Sequence, residues 1–278
     1  TRLCEIKNAF INSLILITKA LKNVYLHLMR LSVIIPSYNQ IKFIEATMKN
    51  IVTIKKICKE NNAELEVIVC DNCSISEVQA IFERYKNVID VLKIESDKGQ
   101  YDAINKGLSC VTGKYWTWLN TDDLIDPKGF VEIVNYLKAN TVDYIYGDIE
   151  IIDENGKSIN TSTSGNITLA SLTTKDASIS QPGSFFRTEF TKSIGLISNY
   201  RFAFDYEYIL RILKNSGLVV KLNTVVAQFR YYQESKSGSQ DARFLIEQLE
   251  IAKLYGCTAF SKLSLMLRLR ILKRKLLN

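Results

Sequence analysis

The chain has 278 residues, 47% apolar and 23% charged, with 36 Lys and Arg against 29 Asp and Glu for a formal charge of +7. That balance belongs to an ordinary globular protein, long enough for one large α/β domain with additions or for two modest ones. A single histidine, His27, excludes multi-histidine metal sites and leaves one residue for any Ser-His-Asp triad, so chemistry in this chain leans on carboxylates.

Residues 1–30 carry Phe10, Leu14, Ile17, Leu21, Val24 and Leu28 at helical spacing, which predicts a helix. Its most apolar run, residues 10–17, is broken by Asn12 and Ser13 and stops before Lys19. It is too short to span a bilayer and makes a poor secretory signal, so a cytoplasmic location is expected. Residues 31–36 (LSVIIP) form a β-branched apolar run without alternation, as expected of a strand buried on both faces. Ile44, Met48, Ile51, Ile54 and Cys58 then predict a helix, 65–70 (LEVIVC) a second buried strand, and 78–85 another helix. The alternation continues with a strand at 88–94, a helix at 101–109, a strand at 115–119 and a helix from Pro127 to about residue 139. Residues 142–152 predict a strand that enters a hairpin at Asn155-Gly156, and the Thr- and Ser-rich stretch 160–180 reads as an exposed connection. Strands alternating with helices imply a doubly wound, mostly parallel sheet with flanking helices. Six cysteines at irregular spacings read as free thiols. The Cys70-x-x-Cys73 pair closes a strand and has no second pair with which to form a zinc ribbon.

In such a sheet, ligands bind beyond the carboxyl ends of the strands. Those ends carry Ser37, Tyr38 and Asn39; Asp71, Asn72 and Ser74; Asp97, Lys98 and Gly99; and Asn120, Thr121, Asp122 and Asp123. None has a G-x-G-x-x-G or G-x-x-x-x-G-K pattern, which disfavours a dehydrogenase or a P-loop kinase. Adjacent carboxylates at a strand end suit Mg²⁺ or Mn²⁺, although acids just before Asp126-Pro127 equally suit the cap of the following helix.

The segments SVIIPSYNQ, LEVIVCDNCS, SDKGQYDAINKGLSCVTGKYWTWLNTDD, DYIYGDIEIID, QPGSFFRTEF and FAFDYEYILRIL occur in that order. Together they resemble the family 2 glycosyltransferases, of GT-A fold, across residues 31–240, and in particular members that build bacterial cell-surface polysaccharides. With the two ends read from their own helical and basic patterns, the expected organisation is a catalytic domain over 31–257 between terminal helical extensions, 1–30 and 258–278. It implies that Pro36, Tyr38 and Asn39 line a nucleotide pocket and that Asp71 hydrogen-bonds the base, usually a uracil. Lys98 and Asp102 would border the nucleotide, Asp122 and Asp123 would hold Mg²⁺ or Mn²⁺ on the diphosphate with Asp123 as the usual direct ligand, and Asp205 would be the general base. The expected reaction is an inverting transfer from a nucleotide-sugar donor, UDP-linked, to a glycan or lipid-linked acceptor. Bottom-up chemistry agrees: a metal that neutralises the leaving diphosphate makes one protein base sufficient.

Alternatives stand beside this reading. Asp205 at the start of a helix (204–214) also simply favours the helix dipole, and Glu207 is a second candidate base. Ile75-Ser76 and Asn120 stand where the family usually has Thr-Asp and Asp. Arg230 and residues 231–240 form either a lid over the diphosphate or a plain surface loop. A catalytically silent nucleotide-sugar-binding or scaffold protein of the same fold is the competing function, and a nucleotidyltransferase is a third. The tail 258–278 holds six cations and no acid among leucines, suiting either an anionic membrane surface or packing on a partner, with its cations spread around the wheel. No nucleic-acid module is present. Residues 1–30 contribute +4 and 258–278 contribute +6, which leaves −3 for the body between them.

Overall fold

The computed structural model describes residues 28–277 apart from 164, 177, 180, 216 and 236–241. The helix expected over 1–30 lies mostly outside the described residues, as does His27; Met29 and Arg30 belong to the first strand instead.

Four parallel strands, β1 (Met29–Ser37), β2 (Ala63–Asp71), β3 (Val91–Ile94) and β4 (Tyr115–Trp118), stand in the order β3-β2-β1-β4. Their uninterrupted apolar runs have a direct cause. Leu31, Val33 and Ile35 of β1 and Leu65, Val67 and Val69 of β2 enter one core, whereas Ile34, Ile68 and Cys70 enter a second core on the opposite face. Each such side chain contributes roughly 1.5–3 kcal/mol on burial, so both faces favour apolar residues. Helices α1 (Ile44–Glu60), α2 (Ser76–Arg84) and α4 (Pro127–Ala139) cover the first face, and α3 (Gln100–Leu108) covers the second.

Beyond β4 the sheet becomes mixed. It continues through β8 (Ser184–Arg187), β6 (Tyr144–Ile152), β9 (Val219–Arg230) and the short β5 (Leu124–Ile125), while β7 (Ser158–Ser162) pairs with β6 as the expected hairpin. Strand β8 is antiparallel to both β4 and β6, and β6 runs parallel to β9. Gly129 of α4 lies so close to β9 that a Cβ would stand 1.9 Å from the Val225 carbonyl oxygen. The aromatic residues of β4, β6 and β8 form a slab in which Trp118 stacks on Phe186 at 5.4 Å and Trp116 donates to Thr191 Oγ1 at 2.9 Å. Over this slab lies α7 (Phe204–Lys214), buried along most of its length, with α8 (Ala242–Leu254) and α9 (Lys262–Leu277) in the same core.

The stretch 160–180 is more than an exposed connection. It completes β7 and then forms α5 (Leu169–Thr174), whose capping box joins Thr168 to Ser171 and whose Leu172 is buried. Helix α6 (Thr188–Ile194) follows β8 directly. The Cys70 thiol, buried on β2, is pushed up to about 12 by desolvation, and Cys73 is exposed in the next loop. An inert buried thiol is a poor half of a redox pair.

Candidate active site

The parallel strands end at one edge, where Ser37 is in register with Asp71 and Asp71 with Ile94. The loops after them are tied into one surface. Asn39 adopts φ 51°; its amide donates to Ser74 Oγ (2.8 Å) and its Oδ1 accepts from the Ile75 amide (2.9 Å). Asn and Asp tolerate this left-handed conformation better than most residues. Asp71 is 1% exposed and accepts from the Ser74 amide (2.8 Å) and hydroxyl (2.6 Å), which leaves each carboxylate oxygen a further acceptor position. Asn72 accepts from the Asp97 amide, and Asp97 accepts from the Gly99 amide at φ 126°. Burial raises the Asp97 pKa. Tyr38, 64% exposed, stands above these loops, and Pro36 is buried beneath them. Lys98 is exposed, and its amide donates to Asp102 at 3.0 Å, so Asp102 braces the entry to α3.

The loop after β4 holds the two central acids. Asp126 caps α4 by accepting from the Gly129 amide, so capping needs neither Asp122 nor Asp123. Asp123 is 1% exposed; its two oxygens accept from the Arg230 amide and from the Asn120 side chain, both at 3.0 Å. Burial first, then the neighbouring Asp122 charge, push its carboxyl well above the ordinary carboxylate range. Asp122 is half-buried and accepts from the Tyr232 hydroxyl at 2.8 Å, and Gln40 donates to that hydroxyl at 3.0 Å. Burial and then Asp122 raise the Tyr232 phenol. Tyr232 also meets Phe43 edge-on at 5.0 Å.

Arg230 is a strut rather than part of a lid. It is 4% exposed, and its guanidinium donates to the carbonyls of Asp122 (3.0 Å), Asp153 (2.9 Å) and Glu154 (3.0 Å) while lying 4.6 Å above the Phe43 ring. It thereby locks the acid loop to the β6–β7 hairpin. Residues 236–240 of the expected lid lie outside the described residues.

Asp205 and Glu207 differ sharply. Glu207 is 6% exposed and accepts from Ser198 (2.8 Å), Tyr255 (2.6 Å) and two nitrogens of Arg211, with which it forms an ion pair. Burial alone would raise its pKa, but these hydrogen bonds outweigh it and hold the carboxyl below its ordinary value. Asp205 is half-buried in the first turn of α7 and accepts from the Tyr206 amide at 2.8 Å. The Phe204 ring contacts Trp118 at 6.1 Å, which ties this turn to the strand that precedes the acid loop. Burial raises the neighbouring Tyr144 phenol, with Asp205 adding to the effect.

The residues that sequence reasoning missed as individuals are Arg230, as a strut, and Tyr232, as the partner of Asp122. Both act across long sequence separations.

Two adjacent carboxylates are the hard-oxygen donor set from which Mg²⁺ or Mn²⁺ takes one or two ligands, the rest coming from water and substrate phosphates. The repulsion that raises Asp123 is one that a divalent cation would relieve. Among the described residues, no group of three or more His, Cys, Asp or Glu could hold an ion, so the fit is to an ion shared with a ligand rather than to an all-protein cage.

This arrangement of parallel strands, polar loops and paired acids is that of a GT-A glycosyltransferase. Residues 32–197 match the model of glycosyl transferase family 2, and the chain belongs to that family. It is 29% identical over 125 residues to the Escherichia coli UDP-Glc:alpha-D-GlcNAc-diphosphoundecaprenol beta-1,3-glucosyltransferase WfgD, covering 45% of this chain and 47% of that one. The alignment thus spans about half the length of that relative. A PGL/p-HBAD biosynthesis glycosyltransferase of Mycobacterium tuberculosis is 24% identical over 221 residues, 77% of this chain and 82% of that one. Among solved structures, S. aureus TarS 1–349 in complex with UDP-GlcNAc shares the fold at a TM-score of 0.63 and 19% identity, covering 89% of this chain and 72% of that one. The mannosyltransferase PcManGT from Pyrobaculum calidifontis, in complex with GDP-Man and Mn²⁺, gives a TM-score of 0.62 at 17% identity, covering 87% and 69%.

Proposed function

We propose that this chain transfers a sugar from a UDP-sugar to a hydroxyl of a glycan or lipid-linked acceptor, with inversion at the anomeric carbon, in bacterial cell-surface polysaccharide synthesis. The observation that carries the reading is the convergence of Tyr38, Asp71 and the Asp122–Asp123 pair at one end of the parallel strands in a family 2 chain. Tyr38 offers an exposed ring on which a base can stack, and Asp71 offers acceptor positions to an imide N–H. Asn39 holds the two loops in register, and Pro36, Lys98 and Asp102 shape the walls beside them.

Asp122 and Asp123 would hold Mg²⁺ or Mn²⁺, which when bound neutralises charge on the departing diphosphate. The resemblance names Asp123 as the direct ligand. Its burial and its two internal hydrogen bonds favour Asp122 for the outward role, with Asp123 as the framework behind it. Asp205 takes the proton from the acceptor hydroxyl as that oxygen attacks the sugar from the face opposite the leaving group. Glu207, saturated by Arg211, Ser198 and Tyr255, is poorly suited to that task. One displacement, in which the acceptor oxygen forms its bond to the anomeric carbon as the bond to the diphosphate breaks on the opposite face, inverts that centre.

The test is release of nucleoside diphosphate from a panel of UDP-, GDP- and dTDP-sugars, with and without Mn²⁺, in the presence of diphospho-lipid-linked and soluble glycan acceptors. Turnover with a UDP-sugar that stops on chelation and returns with Mn²⁺ is expected. Tight donor binding without turnover on any acceptor would overturn the reading in favour of a silent binding protein.

A further inference from the structure

Helix α9 has two apolar faces, and the fold uses one of them. Leu263, Ser264 and Leu267 are fully buried against the body of the protein, joined by half-buried Met266 and Ile271. At 100° per residue, Leu265, Leu269, Leu272 and Leu276 fall within an arc of about 60° on the opposite side, and they are 47%, 68%, 56% and 77% exposed. Lys262 and Lys273 flank that stripe on one edge, Arg268 and Lys275 on the other, and all four are exposed. On a wheel drawn for a single apolar face the cations are scattered. Once the buried face is assigned, these four border the second one, while Arg270 and Arg274 fall on the side of the helix that faces the body of the protein.

Two occupants suit a leucine stripe of this spacing. Steps of four, three and four residues match a coiled-coil seam with a second copy of the chain. In that pairing Arg268, Lys273 and Lys275 would face like charges, and residues 258–278 contain no acid to offset them. A surface of negative charge over an apolar interior satisfies both the stripe and its borders. We propose that α9 lies in the headgroup boundary of an anionic lipid bilayer, with the leucine stripe inserted and the four bordering cations against lipid phosphates. The helix lies on the surface rather than crossing it: no helix of the described residues is long and apolar enough to span a membrane. The docking stands on α9 alone. Its use to the enzyme, which is to bring the site to an acceptor carried on a lipid, rests on the proposed glycosyl transfer.

The experiment is flotation of the full chain, without donor or acceptor, on vesicles of phosphatidylcholine alone and on vesicles with about 30% phosphatidylglycerol. Wild type is expected to float with the anionic vesicles and to detach as salt rises from about 0.1 M to about 0.5 M. The exposed-face variant Leu269→Ser/Leu272→Ser is expected to lose about tenfold or more of its partitioning, and Lys273→Gln/Lys275→Gln to lose roughly fivefold per charge. Both should keep the wild-type melting temperature, because these side chains are exposed. Equal binding to neutral vesicles, no binding to anionic ones, or indifference to both double variants would overturn the proposal. So would concentration-dependent self-association that the leucine double variant abolishes, since that assigns the stripe to a second copy. Donor turnover in vesicle-free solution is read separately, so a failure of docking and a failure of the transfer chemistry are distinguishable.

Discussion

Replacing Asp205 with Asn and Glu207 with Gln puts the division of labour between these two acids to a quantitative test. Glu207 is nearly enclosed, with its side chain 8% exposed and that of Arg211 17% exposed. Removing one partner of such a pair typically costs 3–5 kcal/mol. Arg211 keeps three other acceptors, the carbonyls of Ile194 (3.1 Å) and Leu196 (2.7 Å) and the Ser198 hydroxyl (2.7 Å), and glutamine keeps one acceptor oxygen. The lower end therefore applies, and Glu207→Gln is expected to cost about 3 kcal/mol. At about 2–4 °C per kcal/mol for a chain of this size, that lowers the melting temperature by about 6–12 °C, while turnover per folded molecule stays within a few fold. Asp205→Asn should do the reverse, leaving stability within about 0.5 kcal/mol and cutting turnover by about a hundred- to ten-thousand-fold, with donor KM unchanged. The pH dependence follows from the depressed Glu207 pKa. Its contribution to stability is present above the ordinary glutamate value and is lost as pH falls through the lower folded-state value. Wild type should therefore lose more stability than Glu207→Gln on acidification below about pH 4.5. Differential scanning fluorimetry across pH and a coupled UDP-release assay read both quantities. A Glu207→Gln protein that melts like wild type yet is inactive would refute the assignment, as would Asp205→Asn turnover within tenfold of wild type.

Three further outcomes are expected. Asp122→Asn should abolish Mn²⁺-stimulated UDP release without lowering the melting temperature, read by metal titration alongside thermal unfolding; retention of the metal response would move the ligand role to Asp123. Asn39→Ala should cost about 1–2 kcal/mol, combining left-handed strain with the lost bond to Ile75, and should raise donor KM. Asn39→Gly removes the bond but relieves the strain, and should recover roughly half of that stability. Gly129→Ala drives a methyl group to 1.9 Å from the Val225 carbonyl oxygen, and is expected to destabilise by about 3 kcal/mol or more, seen as loss of soluble protein or a large drop in denaturant midpoint.

The parallel half of the fold was readable in the amino-acid order because β1 and β2 are apolar on both faces and alternate with amphipathic helices of ordinary length. Pro127 announced the start of α4, and Asn155-Gly156 announced the hairpin. The loops that matter also stood out, since acids and amides immediately after a buried strand have few structural reasons to be there. Less visible was anything decided by partners far along the chain. Arg230 resembles a surface cation in sequence, and its burial depends on three main-chain carbonyls brought to it by two different loops. Glu207 stands as a second candidate behind Asp205 in sequence, and the reason to set it aside emerges only when Arg211, Tyr255 and Ser198 are seen to saturate it. The Thr168–Ser171 box passes unnoticed because serine stands where Glu or Gln usually signals a capping box. The leucine stripe of α9 is hidden because a helix that is apolar on opposite sides has little net amphipathicity until one side is known to be covered.

The bond from the Arg230 amide to Asp123 spans 107 positions in the chain. Thr47 of α1 already holds the carbonyls of Thr121 and Asp123 at 3.0 and 3.1 Å, but the second hydrogen bond to the Asp123 carboxylate forms only once β9 has docked beside β6. The stretch that matches the family ends at residue 197, before that strand begins. A chain that stops short of residue 230 would lack both the amide that fills one Asp123 oxygen and the guanidinium that joins the acid loop to the β6–β7 hairpin.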